Sequence, residues 1–179
     1  MLGDGFDEIE ALAPVDVMRR AGMSVFTVSM TENRVVRGAT GNLVIADMAI
    51  SGLNPKMIDW LIFPGADKSE AAVNINLELQ AIVKSHWEKG GNIDAICAAP
   101  ALVLGPLGII AGVNATGYPF LKEDFEKNGG IYSDAAVVES NHLITSKGPG
   151  TTLEFALAIV RKAIGAETEK ALREGMVIS

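Results

Sequence analysis

The 179-residue chain is 49% hydrophobic and 21% charged with a formal net charge of −7, which excludes disordered and fibrous classes and suits one well-cored domain over residues 1–179. Acids that outnumber bases and are scattered exclude unaided binding to nucleic-acid phosphates, and a single cysteine excludes an internal disulfide. No signal-peptide pattern or membrane-length apolar run is seen, so the cytoplasm is the expected compartment and no membrane partner is expected.

In an open α/β sheet the loop "GDGFDE" should follow a first, usually central, strand, yet only Met1 and Leu2 precede it. Either the start has been placed too late or most of a core strand is missing. A helix pattern follows over 7–21. Pro14 within it cannot donate to the carbonyl of Glu10, so a kink beside Glu10 is expected. Apolar runs suited to buried strands come next: "MSVFTVSM" (23–30), "NLVIADM" (42–48) and "IDWLIFPG" (58–65). A helix pattern at 77–89 leads to the run "NIDAICA" (92–98) and a Pro-started apolar helix from Pro100. Another helix pattern covers 119–127, then "AAVVES" (135–140) and "HLITS" (142–146) read as strands. Thr151 and Glu154 form a capping-box pattern before a helix over 151–164, with Gly165 as its terminator, and 165–179 reads as a peripheral appendage. Strands of near-continuous Val/Ile/Leu character alternating with helices predict a doubly wound, mostly parallel sheet covered on both faces.

Cys97, the only cysteine, sits where the run 92–98 turns into the helix begun by Pro100. A strand-to-helix turn aims its side chain outward at the carboxyl end of the sheet, the usual ligand edge, and can require strained backbone angles. A helix start favours thiolate, the nucleophilic and oxidisable form. Spacing alone leaves a second reading open, in which Cys97 is a small buried hydrophobe and inert. The glycine-rich "SKGPGTT" (146–152) lacks the Gly-Lys-Ser/Thr ending of a phosphate-binding loop and reads as a turn into the next helix. One cysteine and the distant His86 and His142 make no zinc pattern, and both histidines are expected at the surface. Neither a metal nor a cofactor is expected.

With "DGFDEIEALAPVDVMRRAG" near the start, "AICAAP" around the cysteine and "LITSKGPGTTLEFALAIV" near the end, the chain resembles the DJ-1/ThiJ/PfpI superfamily. Within it, the chain is most similar to the branch of the parkinsonism-associated deglycase and bacterial YajL-like proteins. The resemblance implies a flavodoxin-like three-layer sandwich, a homodimer, and a cysteine on a nucleophile elbow. It makes Cys97 the nucleophile and Glu10 a protonated carboxyl partner to the sulfur. Glu10 also has a blander reading, shared with Asp7 and Glu8, as a first-turn acid that complements the helix dipole. The resemblance further implies oxyanion donors at the backbone N–H groups of Ala98 and of Ala66, the residue after Gly65. Relatives commonly read Pro-Gly-Gly there, and a positive φ at Ala66 would be resisted by alanine. Some members of the branch have histidine where this chain has Tyr118. A phenol ionises near pH ~10 and is a poor neutral-pH base, so Tyr118 reads as a substrate hydrogen-bond partner, a pocket wall or a dimer contact. Pro149 of the glycine-rich stretch lies close to the cysteine pocket by the same resemblance.

Protease-like and chaperone-like members of the superfamily place histidine directly after the cysteine. Here Ala98 stands there, which disfavours proteolysis because a cysteine peptidase needs that base. The resemblance implies a cofactor-independent enzyme acting on small reactive carbonyls or glycated side chains, by glyoxalase-type conversion of methylglyoxal to lactate or by deglycation. The rival reading is a redox-responsive chaperone or oxidative-stress sensor that uses Cys97 oxidation without turnover.

Overall fold

A buried strand sends alternate side chains to opposite faces, so each face needs its own cover. The computed structural model describes residues 1–66 and 76–178. In chain order its strands are β1 (Val28–Ser29), β2 (Val35–Arg37), β3 (Leu43–Ile45), β4 (Met48–Ala49), β5 (Trp60–Phe63), β6 (Asn92–Ile96), β7 (Asn114–Ala115), β8 (Ile131–Tyr132), β9 (Val137–Ser140) and β10 (Leu143–Ser146). The α-helices are α1 (Glu8–Arg20), α2 (Leu77–Glu88), α3 (Lys122–Lys127), α4 (Thr152–Ala163) and α5 (Ala166–Gly175).

A four-stranded sheet runs β5-β6-β10-β9, parallel except for β9. Leu61, Phe63, Ile93, Ala95 and Leu143 face one way, into a core closed by Leu79 and Val83 of α2. Ile96 and Ile144 face the other way, onto Val17 and Met18 of α1 and Phe155 and Ile159 of α4. The result is the expected flavodoxin-like sandwich with a mostly parallel sheet.

Ahead of the "GDGFDE" loop the chain makes a single parallel bridge. Leu2 bridges Ser29 in parallel and exchanges hydrogen bonds with Val28 and Met30, both at 2.7 Å, while the Met1 amino group donates to the Ile62 carbonyl at 2.7 Å. Met1 and Leu2 therefore lie between the β1–β4 pair and β5. The loop after them is delivered to the end of β5, where Asp7 N–H donates to the Gly65 carbonyl at 2.9 Å.

Several local expectations are corrected. The run 42–48 is divided: β3 pairs with β2 as an antiparallel hairpin, and only Met48–Ala49 joins β1. The segment from Pro100 to Leu104 is a π-helical turn. The Gly105 N–H bonds back to the Pro100 carbonyl at 3.0 Å, and the Asn128 amide takes the displaced Ala101 carbonyl at 3.3 Å. Thr151 and Glu154 form no capping box. The Thr151 hydroxyl closes the turn before α4, accepting from Gly148 N–H at 3.1 Å and meeting Ser146 Oγ at 2.6 Å. Glu154 instead pairs with Arg173 of α5 through two contacts of 2.7 Å. The segment 165–178 is peripheral, a helix with no buried residue and a tail, and Leu172, Met176 and Ile178 pack it onto the α1–α4 core.

Candidate active site

Three acids open α1, and the structure separates their roles. Asp7 is the N-cap, accepting from Ile9 N–H at 2.9 Å and Glu10 N–H at 3.1 Å. Glu8 turns outward and ties the helix to the β2–β3 hairpin. It accepts from Thr40 Oγ1 at 2.5 Å and Asn42 Nδ2 at 3.2 Å, and the Thr40 hydroxyl holds its carboxyl down to about 2. Glu10 turns inward, is 1% exposed and accepts from Gly65 N–H at 2.8 Å. Helical spacing alone could not have distinguished the three. α1 itself runs through Pro14 as one helix.

Cys97 follows β6 directly and has φ 62, in the left-handed region. For a residue with a Cβ that conformation costs about 1–2 kcal/mol. It is held from two sides: Cys97 N–H donates to the Ser146 carbonyl at 2.9 Å, and Tyr118 N–H donates to the Cys97 carbonyl at 2.7 Å. The thiol, half-buried, is aimed at Glu10, which hydrogen-bonds it. Burial raises the thiol pKa, the Glu10 charge and hydrogen bond raise it further, and the Ala98 N–H pulls the other way. Burial and the Glu10 charge thus work against the thiolate that the following helix start favours, so the two influences on the sulfur oppose each other.

Glycines make this approach possible. A Cβ on Gly65 would lie 2.7 Å from Cys97 Cβ and 2.7 Å from Glu10 Oε2. Gly65→Ala is thus expected to lower stability by about 1–3 kcal/mol through overpacking, seen as a reduced urea midpoint at unchanged slope. Gly148 and Gly117, which the sequence reading did not single out, also crowd the cysteine. A Cβ on Gly148 would lie 3.9 Å from Cys97 Sγ, and one on Gly117 would lie 3.1 Å from the Cys97 carbonyl oxygen. For Gly148 the signal is the stretch 146–152, which the family resemblance sets close to the cysteine pocket, whereas Gly117 has only its position in a loop after a strand.

Ala66 is buried, bridges Phe6 and has no positive φ, so alanine fits where strain was anticipated. Tyr118 lies at the site, its ring 3.9 Å from the Gly148 Cβ position. Pro149 follows Gly148, whose Cβ position is 3.9 Å from Cys97 Sγ. It lines a neighbouring cavity of about 460 Å³ between α1 and α4, together with Ile9, Ala13, Leu153 and Ile178. His86 and His142 are at the far end of the strands and are half-buried, not surface, residues. His86 Nε2 meets the Asn92 carbonyl at 3.0 Å, and the His142 ring lies 3.9 Å from that of Trp87. Among the described residues no cluster of three or more His, Cys, Asp or Glu is arranged to hold a metal ion, and no helix is long and apolar enough to cross a membrane.

Comparison with known proteins places this geometry. Protein dj-1beta of Drosophila melanogaster is 31% identical over 179 residues, covering 100% of this chain and 95% of that protein. A Caenorhabditis elegans protein named glutathione-independent glyoxalase DJR-1.2 is 34% identical over 174 residues, 97% of this chain and 91% of that one. The solved structure of oxidized Toxoplasma gondii DJ-1 superposes with a TM-score of 0.90 at 30% identity, covering 98% of this chain and 95% of that one. The model of the DJ-1/PfpI family matches residues 1–162, and the chain belongs to that family.

Proposed function

We propose that this single-domain protein is a cofactor-independent glyoxalase-type enzyme, with Cys97 as nucleophile and Glu10 as its proton carrier. The observation that carries the reading is the contact between a half-buried thiol on strained backbone and a carboxyl group 1% exposed, roofed by Gly65. Two like charges so close are disfavoured, so the pair shares one proton and titrates as a unit. As sulfur adds to the aldehyde carbon of methylglyoxal, the S–H bond breaks, the S–C bond forms, and Glu10 passes the proton to the aldehyde oxygen. The family resemblance assigns the oxyanion role to the backbone N–H groups of Ala98 and Ala66, where such donors would stabilise the charge on the aldehyde oxygen. Glu10 then moves the C1 hydrogen as a proton to C2 while the C1 hydroxyl proton passes to the C2 oxygen, which oxidises the first carbon, reduces the second and leaves a lactyl thioester. Water cleaves the thioester, restoring the thiol and releasing lactate.

The name of the Caenorhabditis elegans relative supports the reaction class. Early glycation adducts offer the same kind of carbon to the same thiol and form the second substrate class. The protein acts in the cytoplasm as a homodimer, a second copy covering the apolar residues Ile9, Leu12 and Leu153, which stand exposed on α1 and α4.

Oxidation sensing without turnover is the competing reading, favoured by the oxidized state of the related Toxoplasma gondii structure. Both readings use the same Cys97 and Glu10, because addition to a carbonyl and oxidation both proceed through the sulfur's ionised form. The deciding experiment is methylglyoxal consumption without glutathione, with lactate as product, by reduced wild type and Cys97→Ala. Lactate formation by the wild type alone is expected. A folded, reduced wild type that makes none moves the assignment to the sensor.

A further inference from the structure

The chain's departure at position 118 has a structural continuation. The Tyr118 backbone is tied to Cys97 at 2.7 Å, and Leu121 N–H closes a short 3-10 turn onto the Tyr118 carbonyl at 2.9 Å. That turn sets the Phe120 ring beside the Tyr118 ring, centroids 5.3 Å apart and tilted by 49°. Phe120 is 86% exposed and Tyr118 38% exposed, so the pair presents aromatic surface to solvent at the mouth of the site. The missing side chain at Gly148 leaves a slot between this surface and the sulfur. A Cβ there would be 3.9 Å from both Tyr118 Cδ2 and Cys97 Sγ. Exposed aromatic surface that continues into a reactive pocket suits a ligand group with a flat apolar face.

We propose that Tyr118 and Phe120 form a subsite for a planar, apolar substituent on the carbonyl substrate, so that Cys97 favours aryl α-oxo compounds over their methyl counterparts. The inference rests on carbonyl addition at Cys97, as read above. A substituent stacked on Tyr118 lies alongside the slot at Gly148, which leaves its carbonyl carbon within reach of the sulfur. A methyl group is too small to reach both rings.

The test uses two alkylating probes that differ only in that substituent, 2-bromoacetophenone and bromoacetone. In each, the Cys97 sulfur displaces bromide from the methylene carbon, and the thiol proton goes to solvent. Rate constants are followed by mass spectrometry and their ratio is divided by the ratio for N-acetylcysteine. The wild type is expected to exceed the free thiol in aryl preference by about tenfold. Phe120→Ala and Tyr118→Ala lower that preference, and Tyr118→Phe keeps it. The exposure of Phe120 makes Phe120→Ala a folded reporter even if Tyr118→Ala does not fold. A wild-type ratio equal to that of the free thiol overturns the subsite, as does a ratio that Phe120→Ala leaves unchanged, or no reaction with either probe. Alkylation needs no turnover, so loss of the glyoxalase reading leaves the aryl preference standing, whereas loss of the subsite abolishes it.

Discussion

Glu10→Gln is expected to lower kcat/KM for methylglyoxal by about 10²–10⁴-fold, the usual contribution of a positioned acid–base group. The amide can still accept from Gly65 N–H, so the roof over the site stays in place, but it cannot take a proton and return it. The same substitution should speed the simple alkylation of Cys97 by iodoacetamide at neutral pH. Burial is the main reason the thiol is held high, and the Glu10 charge is next. Removing that charge shifts the alkylation profile to lower pH, while burial keeps it above that of a free cysteine. Opposite changes in turnover and alkylation are not produced by a general loosening, which moves both together. An unchanged alkylation profile would show that the carboxylate does not act on the sulfur.

The second large effect lies away from the cysteine. Asp94 stands in β6 with no exposure, facing the α1–α4 side between Ile62 and Ile144. Its Oδ1 accepts from Ile144 N–H at 2.9 Å. Burial pushes its pKa up to about 8, against lowering contributions from the Ile144 N–H, the Trp60 indole and the Lys162 charge, and with a smaller raising one from Glu139. The unfolded carboxyl ionises near the ordinary 3.8, so between that pH and about 8 the unfolded chain has lost a proton that the folded one keeps. Stability from this group is therefore full below pH ~4, falls by about 1.4 kcal/mol per pH unit, and levels off above pH ~8. The total is on the order of 5 kcal/mol. Asp94→Asn keeps an acceptor for Ile144 and has no charge to lose. Urea titrations of both proteins from pH 4 to pH 9 should show the stability difference growing in favour of the variant and then becoming flat. A difference independent of pH would mean that Asp94 is ionised in the folded protein.

These two carboxyls show where local pattern informs and where it stops. The sandwich could be read because "IDWLIF", "NIDAICA" and "HLITS" are apolar enough to be buried on both sides, a property carried residue by residue. Cys97 could be placed at the sheet edge because Pro100 marks where the strand must end. Asp94 was passed over inside its apolar run, since its consequence depends on neighbours from β5, β10 and α4 that only folding assembles. The same holds for Thr151, whose hydroxyl has Ser146 and Gly148 within reach and so serves them instead of the helix start. The division of 42–48 is not legible locally because strand pairing chooses partners across the chain: β3 pairs with β2, and Met48–Ala49 pairs with β1. Glu10 could be named only through family resemblance. Its inward turn depends on Asp7 capping the helix and Glu8 being drawn to Thr40.

The left-handed backbone at Cys97 has a consequence for how this region tolerates change. Its conformation is imposed by the Ser146 carbonyl at the end of β10 and the Tyr118 N–H beyond β7, while its side chain is confined by Gly65 after β5 and Glu10 of α1. Residues remote in sequence thus share one strained atom group, and substitutions among them are coupled instead of additive. Such a cluster is epistatic: the effect of changing position 118 depends on what stands at positions 10, 65 and 97, and variation is accommodated by joint replacement more readily than by single steps.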